Sequence, residues 1–352
     1  MAQAQALPHP DTYTAYAFLE KGGDLQKVTI PWRDPSPGEI VVKVLACGVC
    51  GSDDAVATGH FRIPIQYPRI PGHEIVGDVV AVPSTEKKWT LGQRVGAGWH
   101  GGHCSSCSRC RVGDYITCET KSINEFVGIG ILRDGGYAEY AILRTEAVAA
   151  LPEDMDPVEA APLLCAAVTC FNALRNMNAR PPDYVAVQGI GGLGHLAIQI
   201  ARAMGFRVVA LSSGPAKEQL ARSLGAHVYI DGSAVDQGEA LRALGGAKVA
   251  MCTAPNSDAA QRLIPGLAVD GTLLLLSLEG EPLAIPPAQL LGKRLSVRGW
   301  AVGHAADSED CVAFARSHDV KCMVEKFPLE KAAEAYKRRA SAKFRAVIVP
   351  GL

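Results

Sequence analysis

Residues 185–205 read VAVQGIGGLGHLAIQIARAMG. A short β-branched run gives way to Gly189, Gly191 and Gly194 in G-x-G-x-x-G spacing, and then to an Ala/Leu/Ile stretch of amphipathic helical character. The motif has meaning because it follows a strand and opens a helix. The first glycine permits a tight turn, the second lets backbone approach a pyrophosphate, and the third allows close helix packing. Gly192 and Leu193 complete the turn, and phosphate charge would rest on the helix N-terminus. The competing reading is a turn of the same shape without nucleotide.

Outward from this turn, short apolar runs alternate with Ala/Leu-rich helical stretches, the pattern of repeated βα units. The expected strands are Tyr184–Gln188, Arg207–Leu211, His227–Ile230, Ala247–Met251, Thr272–Leu276 and Arg294–Val297. Six strands with intervening helices predict a doubly wound parallel sheet. The first 150 residues read differently: Glu39–Val44, Ile75–Val82 and Gly136–Ile142 are β-branched segments between Gly and Pro punctuation. After Trp300 come a helix over Asp307–His318, another over Leu329–Arg339 and a strand over Arg345–Val349, which can return to the first domain.

The 352 residues carry a formal net charge of -1, with 48% hydrophobic and 20% charged residues. That balance fits a folded globular chain of about two domains and gives no electrostatic footprint for nucleic acid. The one basic cluster, Lys337, Arg338 and Arg339, complements a helix C-terminus. The most apolar stretch, Gly271–Leu278, has strand length and is too short to span a bilayer. The opening MAQAQALPHP lacks a basic start and an apolar core, so a cytoplasmic protein is expected.

A nucleotide site selective for NAD carries an acidic side chain about twenty residues beyond the glycines, at the end of the second strand. Here that position is Ser212, followed by Ser213 and, at the next helix start, Lys217. Two hydroxyls and an ammonium suit a 2′-phosphate, so NADP(H) is expected. A relaxed NAD site with an exposed Lys217 is the alternative.

Cys104, Cys107, Cys110 and Cys118 form a Cys-x2-Cys-x2-Cys-x7-Cys run. Four thiols so spaced match a closed tetrahedral zinc site. The rival reading, a disulfide cluster, requires an oxidising compartment that nothing in the chain indicates, and the cysteines total eleven, an odd number.

With the zinc lobe and the nucleotide turn together, the segments CGVCGSD, PGHE and LLCAAVT make the whole chain resemble the zinc-dependent medium-chain dehydrogenase/reductase family, in particular its alcohol and cinnamyl alcohol dehydrogenase branches. The resemblance implies a GroES-like, mostly β catalytic domain over 1–157 with 298–352, including the zinc lobe at about 99–120, and a Rossmann domain over 158–297. It implies two zinc ions per chain. Cys50, His73 and Cys165 would hold the catalytic one, with a fourth position open. Ser52 would relay the alcohol proton, Asp53 would orient His73, and Glu74 would tune the electrostatics around the metal. Trp99 would line the substrate pocket, Thr169 would pack near the nicotinamide, and Arg345 would reach the cofactor phosphates.

The implied activity is reversible hydride transfer between NADP(H) and an alcohol or carbonyl, with a homodimer or homotetramer as the working form. A C=C or C=N reductase using the same cofactor and a non-catalytic nucleotide-binding protein are the alternatives. Three departures from the family pattern stand out. Gly51 replaces a basic residue after the first cysteine ligand, Ala55 replaces the His that ends the proton relay, and Cys165 rather than a carboxylate argues against the polyol branch. His60 is a weak substitute for the missing relay histidine. His195 reads as a surface or packing residue, and His100 and His103 could compete as ligands, although thiolates at better spacing should prevail. Cys47, Cys170, Cys252, Cys311 and Cys322 read as small apolar core residues.

Overall fold

The computed structural model describes residues 4–61, 63–120, 128–277, 281–339 and 341–352. Arg62, within the segment Gly59–Tyr67 whose side chains are expected to shape the substrate pocket, and Leu278, at the end of the apolar stretch Gly271–Leu278, lie outside them. The chain divides into two compact units, 1–165 with 303–313 and 322–352, and 166–302 with 314–321.

The second unit is built on a six-stranded sheet whose spatial order is Val228–Asp231, Arg207–Ser212, Tyr184–Gln188, Ala247–Cys252, Leu267–Leu275 and Ser296–Gly299. Every neighbouring pair is parallel. Numbered along the chain, this is the doubly wound order 3-2-1-4-5-6, which reverses direction beside Tyr184–Gln188, where such sheets bind ligands at their strand ends. Val185, Ala186 and Val187 are fully buried, as expected of a strand covered on both faces. The last strand starts two residues later than its sequence suggests. Arg294 adopts φ 51°, outside the extended region, and pairs through two guanidinium nitrogens with Asp270 at an irregularity of the neighbouring strand.

The first unit is mostly β. Its sheet runs Val324–Pro328, Arg345–Val349, Glu39–Gly48, Glu74–Val82, Arg94–Ala97 and Val148–Ala150, with Tyr140–Arg144 also paired to Glu39–Gly48. The C-terminal strand Arg345–Val349 joins Val324–Pro328 in parallel and Glu39–Gly48 antiparallel, so the end of the chain completes the sheet of the beginning. A separate hairpin, Thr12–Phe18 with Leu25–Pro31, lay outside the expected strands. Its second strand exposes Gln26, Lys27, Thr29 and Pro31 and carries little apolar signal.

The segment expected as a strand over Gly136–Ile142 begins instead at Tyr140. Gly135, Gly136 and Tyr137 donate their N–H groups to Ile70, Gly72 and Pro71, forming an irregular ladder beside the loop that precedes His73. The expected Leu329–Arg339 helix is a 3-10 turn, Leu329–Lys331, running into the helix Ala332–Arg338. Among the described residues no single helix is long and apolar enough to cross a membrane.

Candidate active site and metal centres

Strand ends and short turns of the first unit bring together residues that lie far apart in sequence. Cys50 follows the strand Glu39–Gly48, Ser52 and Asp53 occupy the 3-10 turn after it, His73 immediately precedes the strand Glu74–Val82, and Cys165 ends the turn Ala161–Leu164. The ligand atoms of Cys50, His73, Glu74 and Cys165 all lie within 4.8 Å of one another, and all four residues are buried. Cys50 Sγ and Cys165 Sγ are 3.9 Å apart. Two thiolates on one tetrahedral zinc, with Zn–S bonds of about 2.3 Å, would stand about 3.8 Å apart, so the donor set fits that ion.

The electrostatics separate the two thiols: the hydrogen bond shared with Cys50, reinforced by burial, pushes the Cys165 thiol well above its ordinary value. A hydrogen bond from Cys165 holds the Cys50 thiol well below its ordinary value against the opposing effect of burial, and the charge of Arg345 adds to it. Asp53 Oδ1 lies 3.2 Å from His73 Nδ1, an arrangement that would leave Nε2 to ligate a metal. Ser52 Oγ is 3.2 Å from Cys50 Sγ and 3.4 Å from His73 Nε2, at the mouth of the cluster. Trp99 meets the His73 ring edge-on at 5.1 Å and contacts Phe61 at 6.2 Å. Phe61 is therefore an aromatic neighbour that the sequence did not single out.

Arg345 corrects an expectation. Rather than reaching cofactor phosphates, its guanidinium is buried and pairs with Glu74 Oε1 at 2.8 Å. The strand Arg345–Val349 pairs with Glu39–Gly48, and the latter with Glu74–Val82, so the two charges meet inside one sheet. Burial nevertheless pushes Glu74 up to about 7 despite that cation. His60 is exposed and Ala55 half-buried, so neither supplies a buried relay group. A residue that the sequence did not flag, Tyr137, donates from its hydroxyl to Asp53 Oδ2 at 2.8 Å. Burial, reinforced by Asp53 and Cys47, pushes its phenol well above the ordinary value and keeps it a donor.

Cys104, Cys107, Cys110 and Cys118 form the second cluster, again with all ligand atoms within 4.8 Å. Cys104 Sγ accepts from the N–H of Ser106 and Cys107 at 3.4 and 3.3 Å, and Cys107 Sγ from those of Cys110 and Glu119 at 3.5 Å. The Ser106 hydroxyl, followed by Thr120 and these amides, brings Cys104 down to about 5. Neither nearby histidine belongs to the cluster. His103 stacks on Tyr115 at 3.9 Å and on His100 at 5.3 Å. Cys47, Cys170, Cys252, Cys311 and Cys322 are all buried.

In the second unit the glycine turn has the shape a dinucleotide requires. Gly189 adopts φ 87°, and a Cβ on Gly194 would lie 1.9 Å from the Gly189 carbonyl oxygen, whereas a Cβ on Gly191 would meet nothing within 4 Å. The helix opens at Gly194, and the N–H groups of His195, Leu196 and Ala197 bond back to Gly191 O and Leu193 O in the turn. His195 is buried, its Nδ1 3.0 Å from the Gly191 oxygen, a packing role. Thr253, at the end of the neighbouring strand, donates to Gln188 O and Gly189 O at 2.9 and 3.1 Å and braces the turn. Its position at the switch point was the signal available for finding it. Thr169 is buried in the helix Ala166–Arg175.

Ser212 is half-buried and Ser213 exposed at the end of the second strand. Lys217 reaches back so that Nζ donates to Ile190 O at 2.9 Å, beside the glycines. Asp231 was not anticipated there: its Oδ1 accepts the Gly214 N–H at 2.7 Å, placing a carboxylate against the same turn.

Known proteins agree with this architecture. Residues 36–153 match the alcohol dehydrogenase GroES-like domain and residues 192–317 the zinc-binding dehydrogenase domain. The chain is 46% identical over 341 residues to alcohol dehydrogenase notN of Aspergillus sp. (strain MF297-2), covering 96% of this chain and 98% of that one. Alcohol dehydrogenase patD of Penicillium expansum is also 46% identical over 341 residues, with the same coverage. The crystal structure of the alcohol dehydrogenase from the archaeon Aeropyrum pernix superposes with a TM-score of 0.85 at 27% identity, over 96% of this chain and all (100%) of that one. The chain belongs to the zinc-dependent medium-chain dehydrogenase/reductase family.

Proposed function

We propose that this protein is a zinc-dependent alcohol dehydrogenase or aldehyde reductase that uses NADP(H). The observation that carries the reading is the buried cluster of Cys50, His73 and Cys165, with the Ser52 hydroxyl 3.2 Å from one ligand and 3.4 Å from another. Zinc held by those three residues would supply Lewis acidity and the nicotinamide would supply or accept hydride. Ser52 is the side chain placed to take or return the proton of the substrate oxygen. With Ala55 where relatives carry a relay histidine, the proton passes from Ser52 to water, which suits carbonyl reduction as well as alcohol oxidation. Asp53 holds the imidazole, Glu74 and Arg345 set the charge behind the metal, and Trp99 with Phe61 forms an aromatic wall for the substrate. A second zinc in the four-cysteine lobe would stabilise the fold and take no part in chemistry.

NADP(H) preference rests on Ser212, Ser213 and Lys217. NAD(H) is the second reading, favoured by the Asp231 carboxylate on the Gly214 N–H, since a negative charge beside the ribose site opposes a 2′-phosphate. We place the enzyme in the cytoplasm, as a homodimer or homotetramer acting on small alcohols and aldehydes.

The test is a panel of alcohols, aldehydes and one enal against both cofactors, with zinc measured on the same sample. Two zinc ions per chain, an allylic alcohol from the enal and a higher kcat/KM with NADPH are expected. A saturated aldehyde from the enal would replace this reading with C=C reduction, and a clear NADH preference would reverse the cofactor assignment.

A further inference from the structure

Tyr137 has no part in the chemistry above, yet its hydroxyl ends at the catalytic cluster. The side chain is fully buried, and its hydroxyl lies 2.8 Å from Asp53 Oδ2. The same carboxylate oxygen accepts the Cys50 N–H at 2.9 Å, while Oδ1 faces His73 Nδ1 at 3.2 Å. Asp53 Oδ2 thus has two donors, the backbone of one proposed ligand and Tyr137, while Oδ1 makes an ion-pair approach to the ring of another. An ionised carboxylate is acceptor-only with several lone-pair directions. Two donors anchor Oδ2, and that anchoring sets where Oδ1 stands against His73 Nδ1.

The backbone is arranged to deliver this hydroxyl. The ladder of residues 135–137 on 70–72 runs directly into His73. Gly72, at φ 98°, has no room for a side chain: a Cβ there would lie 2.4 Å from Tyr137 Cδ1 and 2.8 Å from Cys47 Sγ. The residue before the ligand histidine is bare because the tyrosine ring passes against it.

Building on the proposed catalytic zinc site, we propose that Tyr137 is a positioning residue of that site: its hydroxyl fixes the Asp53 carboxylate and, through it, the ring plane and Nδ1–H tautomer of His73, so that Nε2 is directed at the metal. Tyr137 touches neither substrate nor metal and acts only through Asp53. Partners of this kind typically change metal affinity by about 10–100-fold.

The experiment compares Tyr137→Phe with wild type as full-length, zinc-loaded protein, following zinc release to a chelator and the visible spectrum after cobalt is exchanged into the catalytic site. The ring and its backbone ladder remain in this variant. We expect the catalytic zinc to leave about 10–100-fold faster, the cobalt band to shift, and the four-cysteine zinc to leave at the wild-type rate. Tyr16→Phe is the control, removing the hydroxyl of another buried tyrosine, which donates to Glu330 O at 3.1 Å; both of its release rates should match wild type. Unchanged catalytic-zinc release with an unchanged cobalt band in Tyr137→Phe would overturn the proposal, as would equal acceleration by Tyr16→Phe. If Tyr137→Phe does not fold, 3-fluorotyrosine at position 137 retains the hydroxyl while altering its donor strength, and an unshifted cobalt band there also overturns it. Failure of the zinc-site reading itself looks different: wild type would then hold one zinc per chain rather than two.

Discussion

The two clusters in the first unit use the same element of chemistry, the cysteine thiol, in opposite ways. The lobe takes four thiols from one run, residues 104–118, and leaves Cys104 and Cys107 partly exposed. Its sulfurs are held by backbone amides of the same loop, those of Ser106, Cys107, Cys110 and Glu119. The other cluster draws Cys50, His73 and Cys165 from three separate segments, all buried, and surrounds them with the ionisable side chains of Asp53, Glu74 and Arg345. With zinc, four thiolates would make a site of charge -2 that only a solvated surface tolerates well. Two thiolates and a neutral imidazole around the same ion sum to zero, leaving a buried site able to take on charge during a reaction. Sequence-local thiols suit a staple, and dispersed mixed ligands suit chemistry.

Removing one thiol from each cluster tests that contrast with the largest effects. Cys50→Ala is expected to abolish turnover, lower zinc from two ions to one per chain and leave NADPH binding, followed by nicotinamide fluorescence, unchanged. Cys118→Ala is expected to release the other zinc and lower Tm by about 10 °C, because structural metal binding contributes directly to folding, with kcat per folded molecule preserved at low temperature. Equal loss of activity from both variants at a temperature where both are folded would break the comparison.

The next effect sharpens the description of the buried cluster. Ser52→Ala removes the hydroxyl placed against two of its ligands and keeps the ligands themselves. We expect kcat to fall by about 10²–10⁴-fold, the usual contribution of a positioned proton-transfer group, with zinc content unchanged and KM altered far less. A fall in zinc content instead would make Ser52 a support for Cys50 rather than a proton carrier.

The difference between the clusters also governs what could be read from sequence. The lobe is legible because its ligands are adjacent, and the glycine turn because its spacing carries its own strand and helix. Cys50, His73 and Cys165 have no such spacing and became readable only through the family's register. Tyr137 was invisible for a further reason: its role depends on residues 135–137 bonding to 70–72, whereas the segment Gly136–Ile142 read as an ordinary strand between Gly and Pro punctuation. Arg345 was misplaced because a lone arginine near the end of a chain gives no hint of the buried carboxylate, Glu74, that it faces. Fold class survives such errors since it depends on many positions at once, while a site depends on a few.

The smallest effects are expected at the cofactor turn, where the same two devices, backbone contacts and charged side chains, meet again. Lys217 Nζ rests on the Ile190 carbonyl and Asp231 Oδ1 on the Gly214 N–H, so one cation and one anion flank the turn that would receive the adenosine ribose. Lys217→Ala should lower kcat/KM with NADPH by about three- to tenfold relative to NADH, in keeping with one exposed charge-assisted contact. Asp231→Asn keeps an oxygen for the Gly214 N–H and removes only the charge, so it should raise NADPH use relative to NADH by about two- to fivefold. Both ratios should shrink toward one as salt is raised from low to high concentration, because exposed charges are screened. If Asp231→Asn lowered use of both cofactors equally and without salt dependence, the carboxylate would be shaping the turn rather than setting its charge, and the cation on Ile190 would be left as the sole electrostatic determinant of cofactor choice.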